Sequence, residues 1–258
     1  MTLAEHLREL RNRLVKAAIA VVAGTVAGWF LYDRVYLLLR EPLDHYIRVH
    51  PDRAGDVKLI LNGITTAFSL QLNVAIFIGL IISSPAWLYQ AWAFIVPGLT
   101  TKERRISVAF IAASVPLFVV GIVLAHWSLP LVVGVLLNFT PTGAANFQNL
   151  SDYISFVTRF SLGFGFAFLL PVFLVALNMI GILPSRTMLR VWRPAVFGIF
   201  VFAAMMMPTP DPYSMLLLAV PLTILYFAAV LVARLLDRRK STRRLDWLDV
   251  DDEHASSL

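Results

Sequence analysis

Cysteine is absent from all 258 residues, which removes disulfides, thiol nucleophiles and thiolate metal sites. Charge is scarce as well, with 15% charged residues against 59% hydrophobic, far from the balance of a soluble domain. The spacings that mark chemistry are missing: there is no HExxH, no GxSxG, no phosphate loop, no metal-spaced His/Cys cluster and no pair of aspartates inside an apolar run. An ionisable group at the centre of a membrane helix costs about 2.5–3.5 kcal/mol and is kept mainly where function needs it. The apolar runs hold almost none, so proton-relay and ion-coupled transport readings lose their residues. The ten-residue alternation of an outer-membrane barrel and an internal inverted repeat are also missing.

What is present is a series of long apolar runs, several exceeding the roughly 20 residues needed to cross about 30 Å of hydrocarbon as helix. The expected fold is an all-α, polytopic membrane protein with six transmembrane helices, both termini inside, short fifth and sixth helices and extracytoplasmic helical or loop caps. Residues 1–236 form one transmembrane domain in this reading, and 237–258 form a polar, disordered cytoplasmic tail. The net charge of +6 belongs to topology rather than to nucleic acid. Arg8, Arg11, Arg13 and Lys16 precede the first span, Lys102, Arg104 and Arg105 follow the second, Arg186, Arg190 and Arg193 follow the fourth, and the basic run 234–244 follows the last. Six spans put these groups on one side, which the positive-inside rule makes cytoplasmic.

Residues 1–16 read as an amphipathic helix on the inner membrane surface, with Leu3, Leu7, Leu10 and Leu14 at helical spacing. The first span continues to about Leu39, and its GTVAG, residues 24–28, fits a close helix-packing motif. A mixed-charge outer segment, 40–64, forms a cap. The second span, 66–96, contains SSP at 83–85 and is expected to kink there; Gln71 and Asn73 near its outer end read as solvated interfacial residues or, alternatively, as hydrogen-bonding partners of another helix. His126, beside Trp127, reads as an interfacial anchor at the end of the third span. The apolar 129–139 is too short to cross and is expected to lie on the outer face as a separate helix. The fourth span, about 155–180, carries Arg159 near its outer start. The fifth, 195–207, has thirteen residues, about 20 Å. Asp211, in the PTPDP turn that follows, is either a carboxylate drawn into the membrane region or a cap of the sixth helix.

The stretch 91–105, AWAFIVPGLTTKERR, joins these observations. A hydrophobic helix should stop at Pro97 and Gly98, and the charges that follow cannot sit in hydrocarbon. Glu103 between Lys102 and Arg104 is then a carboxylate at the membrane surface, paired with its neighbours or available to a cationic partner.

The chain resembles the TatC family, the multispanning subunit of the twin-arginine protein translocase. The resemblance is carried by HLRELRNRL at 6–14, SSPAWLYQAWAFIVPGLTTKERR at 83–105, DYISF at 152–156, FAFLLPVF at 166–173 and the long segment from Arg193 through PTPDP. It implies a non-enzymatic receptor in the prokaryotic cytoplasmic membrane, without cofactors. Such a receptor binds signal peptides bearing paired arginines and assembles with single-span TatA- and TatB-type partners and with itself. Folded proteins are exported at the expense of the proton-motive force. Position by position, Glu9 and Glu103 fall where the family contacts the arginine pair. Arg11, Gln90, Phe94, Pro97, Arg104 and Arg105 fall on the supporting motif, and Asp211 falls on the acidic position between the fifth and sixth helices.

In one place the chain departs from the family pattern. Leu169 stands where the fourth span commonly carries a glutamate, so a buried carboxylate contact to the single-span partners is not implied, and Asn178 is a candidate replacement. Two other classes compete with a receptor. A small-solute transporter requires a polar pathway that the spans do not supply. A purely structural scaffold shares every feature except the paired inner-face carboxylates.

Overall fold

The computed structural model describes residues 3–50, 57–61, 63–95, 101–138, 146–206 and 212–245. Its elements in chain order are α1 (Leu3–Phe30), α2 (Tyr32–Val49), β1 (Val57–Ile60), α3 (Ile64–Ile82), α4 (Ser84–Ile95), α5 (Thr101–Asn138), β2 (Asn146–Asn149), α6 (Leu150–Met179), α7 (Ser185–Arg190), α8 (Trp192–Met206) and α9 (Pro212–Leu245). Among the described residues five helical segments are long and apolar enough to cross a membrane: Leu7–Phe30, Thr65–Ile82, Val108–Leu137, Leu150–Met179 and Met215–Arg238. The shorter apolar Trp192–Met206 brings the number to six.

That fifth span, α8, has 15 residues and covers about 22 Å, short as expected from the sequence. The sixth is not short: α9 runs for 34 residues because its helix continues from the apolar stretch straight through the basic run. The tail boundary moves accordingly from residue 237 to Leu245, and 246–258 lie outside the described residues.

The amino-terminal segment also differs from expectation. Residues 3–16 are not a separate surface helix but the first half of α1, a continuous helix of 28 residues. No proline or glycine interrupts the chain near Lys16, and a change of polarity alone does not end a helix. The first span instead ends at Phe30, earlier than Leu39, where Leu31 turns the chain and Leu31 N–H bonds Gly28 O at 3.1 Å. Asp33 and Arg34 follow at once in α2, and such charges leave hydrocarbon. The apolar 129–138 likewise is no separate helix; it prolongs α5, because Leu129, Val132, Val133 and Leu137 recur at helical spacing and bury themselves with Leu43 and Tyr46 of α2.

Two close helix crossings build the bundle. A Cβ on Gly24 would stand 2.6 Å from Gly79 O, and one on Gly79 would stand 2.5 Å from Thr25 N, so GTVAG does pack α1 directly onto the α3 backbone. On the other side α6 meets α5 through Gly121 and Gly165, where added methyls would reach Phe164 O and the Phe118 ring at 2.7 Å each.

The second span breaks at Ser83, between α3 and α4, as the SSP motif predicts. Pro85 offers no N–H there, and the Trp87 indole Nε1 donates to Leu80 O at 3.0 Å across the break. Asn73 is not merely interfacial: its amide donates to Ser155 Oγ at 2.8 Å and accepts from Thr158 Oγ1 at 3.2 Å, tying α3 to α6. At the end of the bundle where α6 begins, β1 and β2 pair in parallel from Val57 opposite Asn146 to Ile60 opposite Asn149. Asn149 caps α6 by accepting from Ser151 N–H at 3.0 Å.

Candidate functional site

The opposite end of α1 meets α4. The α1 side chains Leu10, Leu14 and Ala17 recur at spacings of four and three residues, the stripe of a helix face. Opposite them stand Trp87, Gln90 and Phe94 of α4, and together they line an apolar groove of about 370 Å³. Helix α4 can present this face because the break at Ser83 sets it off from α3 and because Trp92 and Leu88, on its other face, are fully buried. Trp92 stacks on Phe110 at 4.3 Å between centroids. Trp87 is fixed from behind by Phe118 at 5.4 Å and Phe166 at 5.7 Å.

A polar patch continues along α1 from the groove. Glu5, Arg8, Glu9, Asn12, Arg13 and Lys16 line an open depression of about 460 Å³. Glu9 is held within it by Arg13, one turn on, whose Nε and Nη2 both donate to Glu9 Oε1, at 3.0 and 2.5 Å. Arg13 borders the patch and the groove together, so one side chain separates a carboxylate from an apolar trough. Arg11 points elsewhere and contacts Asn12 at 3.4 Å.

Of the residues singled out from sequence, Gln90 and Phe94 therefore share the groove, and Glu9 stands at its rim. Glu103, Arg104 and Arg105 belong to the first turns of α5 (Thr101–Asn138), and their side chains fall outside what the structure describes. Pro97 and Asp211 lie outside the described residues altogether. Leu169 is 2% exposed and packs with Leu88 and Phe118. Asn178 is 1% exposed, and its amide donates to Leu183 O at 3.0 Å and to the Asp237 carboxylate at 3.2 Å. Both residues face the interior of the bundle.

Sequence reasoning passed over Leu14, Ala17, Trp87 and Arg13 as parts of one site. The stripe Leu10, Leu14, Ala17 was present as a signal, but only on a helix that runs unbroken past Lys16. Asp237 carried no comparable signal, since it sits at the edge of a basic run. In the structure it accepts from Asn178 and from Ser185 N–H at 3.0 Å, and so fixes the turn between α6 and α7 to α9. On the far side His126 stands 3.8 Å from Glu41 of α2, a surface contact between two helices.

The chain is similar to known proteins over most of its length. The family model for the Sec-independent protein translocase protein TatC matches residues 5–221. A TatC from Xylanimonas cellulosilytica is 44% identical over 243 residues, covering 94% of this chain and 87% of the relative. TatCy from Bacillus subtilis is 32% identical over 236 residues, covering 91% and 89%. A crystal structure of the twin-arginine translocase receptor TatC in DDM superposes with a TM-score of 0.73 at 31% identity, covering 88% of this chain and 99% of that one. Six apolar helices with a short fifth, a break in the second span and matches over nearly the full length lead to one conclusion: this chain belongs to the TatC family of Sec-independent protein translocase proteins.

Proposed function

We propose that this protein is the core receptor subunit of the twin-arginine translocase. It recognises twin-arginine signal peptides at its cytoplasmic face and assembles with TatA- and TatB-type single-span proteins and with further copies of itself. The complex exports folded proteins across the prokaryotic cytoplasmic membrane at the expense of the proton-motive force. Both termini are cytoplasmic in this reading, because four basic groups fall on one side of six spans.

The observation that carries the proposal is the adjacency of Glu9 to the apolar groove between α1 and α4, with Arg13 bordering both. A twin-arginine signal peptide has a matching order, a cationic pair followed by an apolar segment. Arginine binds carboxylates bidentately, so Glu9 and Glu103, the latter in the first turn of α5, are proposed as two acceptors for two consecutive arginines. Magnitudes divide the work between the two parts. An exposed ion pair contributes about 0.2–1 kcal/mol, whereas fully burying one leucine or phenylalanine side chain contributes about 1.5–3 kcal/mol. The groove therefore supplies most of the affinity, and the carboxylates supply the selection for arginine.

The experiment is direct binding of a twin-arginine signal peptide to the full chain in detergent or nanodiscs. Saturable binding that an unrelated apolar peptide of equal length does not compete supports a receptor. Failure to bind returns the chain to a structural scaffold of the complex.

A further inference from the structure

Asp152 and Arg159 lie two turns apart on α6, at the end of the bundle remote from the groove. They share with Ser155, Phe160, Met205 and Met206 a cavity of about 520 Å³ between α6 and α8. Both are exposed, and among the described residues neither forms a hydrogen bond or an ion pair. Their depths follow from the helix. Residues 160–179 contain no Asp, Glu, Lys or Arg, and twenty helical residues cover about 30 Å, the thickness of the hydrocarbon. Arg159 thus stands at the hydrocarbon edge, and Asp152, seven residues nearer the helix start, stands about 10 Å farther out along the axis. Helical side chains lean toward the amino-terminal end, which narrows the gap between the two charged groups without closing it.

A cation at the hydrocarbon edge with an anion beyond it mirrors one kind of lipid headgroup. We infer that this cavity binds a phospholipid with a primary-amine headgroup of the phosphatidylethanolamine type. The phosphate, adjoining the acyl chains, is taken by Arg159; the ammonium, outermost, is taken by Asp152; and the first acyl carbons lie against Phe160, Met205 and Met206. Charge balance selects a zwitterionic headgroup, and the N–H donors that Asp152 can accept from select a primary amine over a quaternary one. The two protein charges cancel, as do those of the headgroup. A phosphatidylglycerol headgroup would satisfy Arg159 but bring only neutral glycerol hydroxyls to Asp152, and a lone carboxylate from a partner helix would likewise leave Asp152 without a cation. In the topology proposed above the lipid belongs to the outer leaflet. Basic side chains at the membrane surface commonly bind lipid phosphate; the acidic residue beyond is what narrows the choice to an amine.

The test uses the full chain reconstituted in nanodiscs of phosphatidylcholine, phosphatidylethanolamine and phosphatidylglycerol in equal parts, then released into gentle detergent for native mass spectrometry. Wild type retains phosphatidylethanolamine above both other lipids. Arg159→Gln lowers that retention about fivefold, the effect of one basic residue near the surface, and Arg159→Lys recovers most of it. Asp152→Asn keeps a bound phospholipid but no longer prefers the primary amine to the quaternary one, which donates no hydrogen bond. Thermal unfolding in lipid-free detergent, unchanged between wild type and Arg159→Gln, shows that lost lipid does not reflect a lost fold. Equal retention by wild type and Arg159→Gln, or preference for phosphatidylglycerol, overturns the assignment. So does a single-span protein crosslinking at position 159 in place of lipid.

Discussion

Arg13 donates from Nε and Nη2 to one oxygen of Glu9, at 3.0 and 2.5 Å, so the carboxylate assigned to an incoming arginine already holds an arginine of its own chain. The contact is between neighbours one turn apart on a partly exposed helix, a pair worth about 0.3–0.5 kcal/mol. A ligand arginine displaces it at little expense. Arg13→Gln is therefore expected to strengthen binding of a twin-arginine peptide about twofold, measured by fluorescence anisotropy; weaker binding would make Arg13 part of the receptor rather than a placeholder.

The crossing of α1 on α3 depends on missing side chains. A methyl on Gly79 would stand 2.5 Å from the Thr25 backbone nitrogen, which the main chain cannot avoid without moving the helix. Gly79→Ala should destabilise the bundle by about 1–3 kcal/mol, read as a lowered midpoint of thermal unfolding in detergent. Gly198→Ala serves as a control, since a Cβ there meets nothing within 4 Å.

At the break in the second span, Trp87 does two things, lining the groove and donating to Leu80 O. Trp87→Phe keeps an aromatic ring in the groove but removes the donor. A stability loss of about 0.5–1.5 kcal/mol, the net value of one hydrogen bond, is expected with peptide affinity nearly unchanged. A large loss of affinity at unchanged stability would mean that the indole N–H serves the ligand.

Asp237 should be more sensitive. Its carboxylate accepts from the buried Asn178 amide and from Ser185 N–H, and Asp237→Ala leaves those donors without it, at about 1–3 kcal/mol. Hydrogen exchange in the turn 180–191 should accelerate before the rest of α6 does; uniform exchange across α6 and α9 would show that the network does not act locally.

Leu169 gives the family comparison a physical form. Packed with Leu88 and Phe118 at 2% exposure, it leaves no room for a solvated carboxylate. Leu169→Glu is expected to destabilise the isolated chain by about 3–5 kcal/mol, the scale of an uncompensated buried charge. Recovery of that stability when single-span partners are added would show that they supply the missing counterpart.

Much of this architecture was legible in the sequence. The short fifth span, the break at Ser83 to Pro85 and the GTVAG crossing each follow from a local rule: length against hydrocarbon, a missing N–H, a missing Cβ. The failures have one physical origin. At Lys16 and at His126 a change of polarity suggested that a helix should end, yet the chain continues because packing decides helix length: α1 runs on to cross α3 and α4, and residues 129–138 of α5 are held by α2. Phe30 shows the reverse, an apolar run cut short where Asp33 and Arg34 leave the membrane. At the site, Glu9, Gln90 and Phe94 were identified through motif resemblance. The groove joining them needed the continuity of α1, which periodicity alone does not prove. Asn73 was ambiguous because a polar residue near a helix end reads the same whether it meets water or another helix.

The most direct measurement of the central claim is site-specific crosslinking of a signal peptide to the full chain, comparing a paired-arginine peptide with its paired-lysine counterpart in wild type, Glu9→Ala and Glu103→Ala. Lysine offers a point charge where arginine offers a bidentate fork. The account predicts that each substitution reduces crosslinking of the arginine peptide far more than that of the lysine peptide, while the apolar contacts at Trp87 and Phe94 persist. Equal losses for both peptides would contradict it, and would leave Glu9 and Glu103 as ordinary surface charges beside an apolar groove.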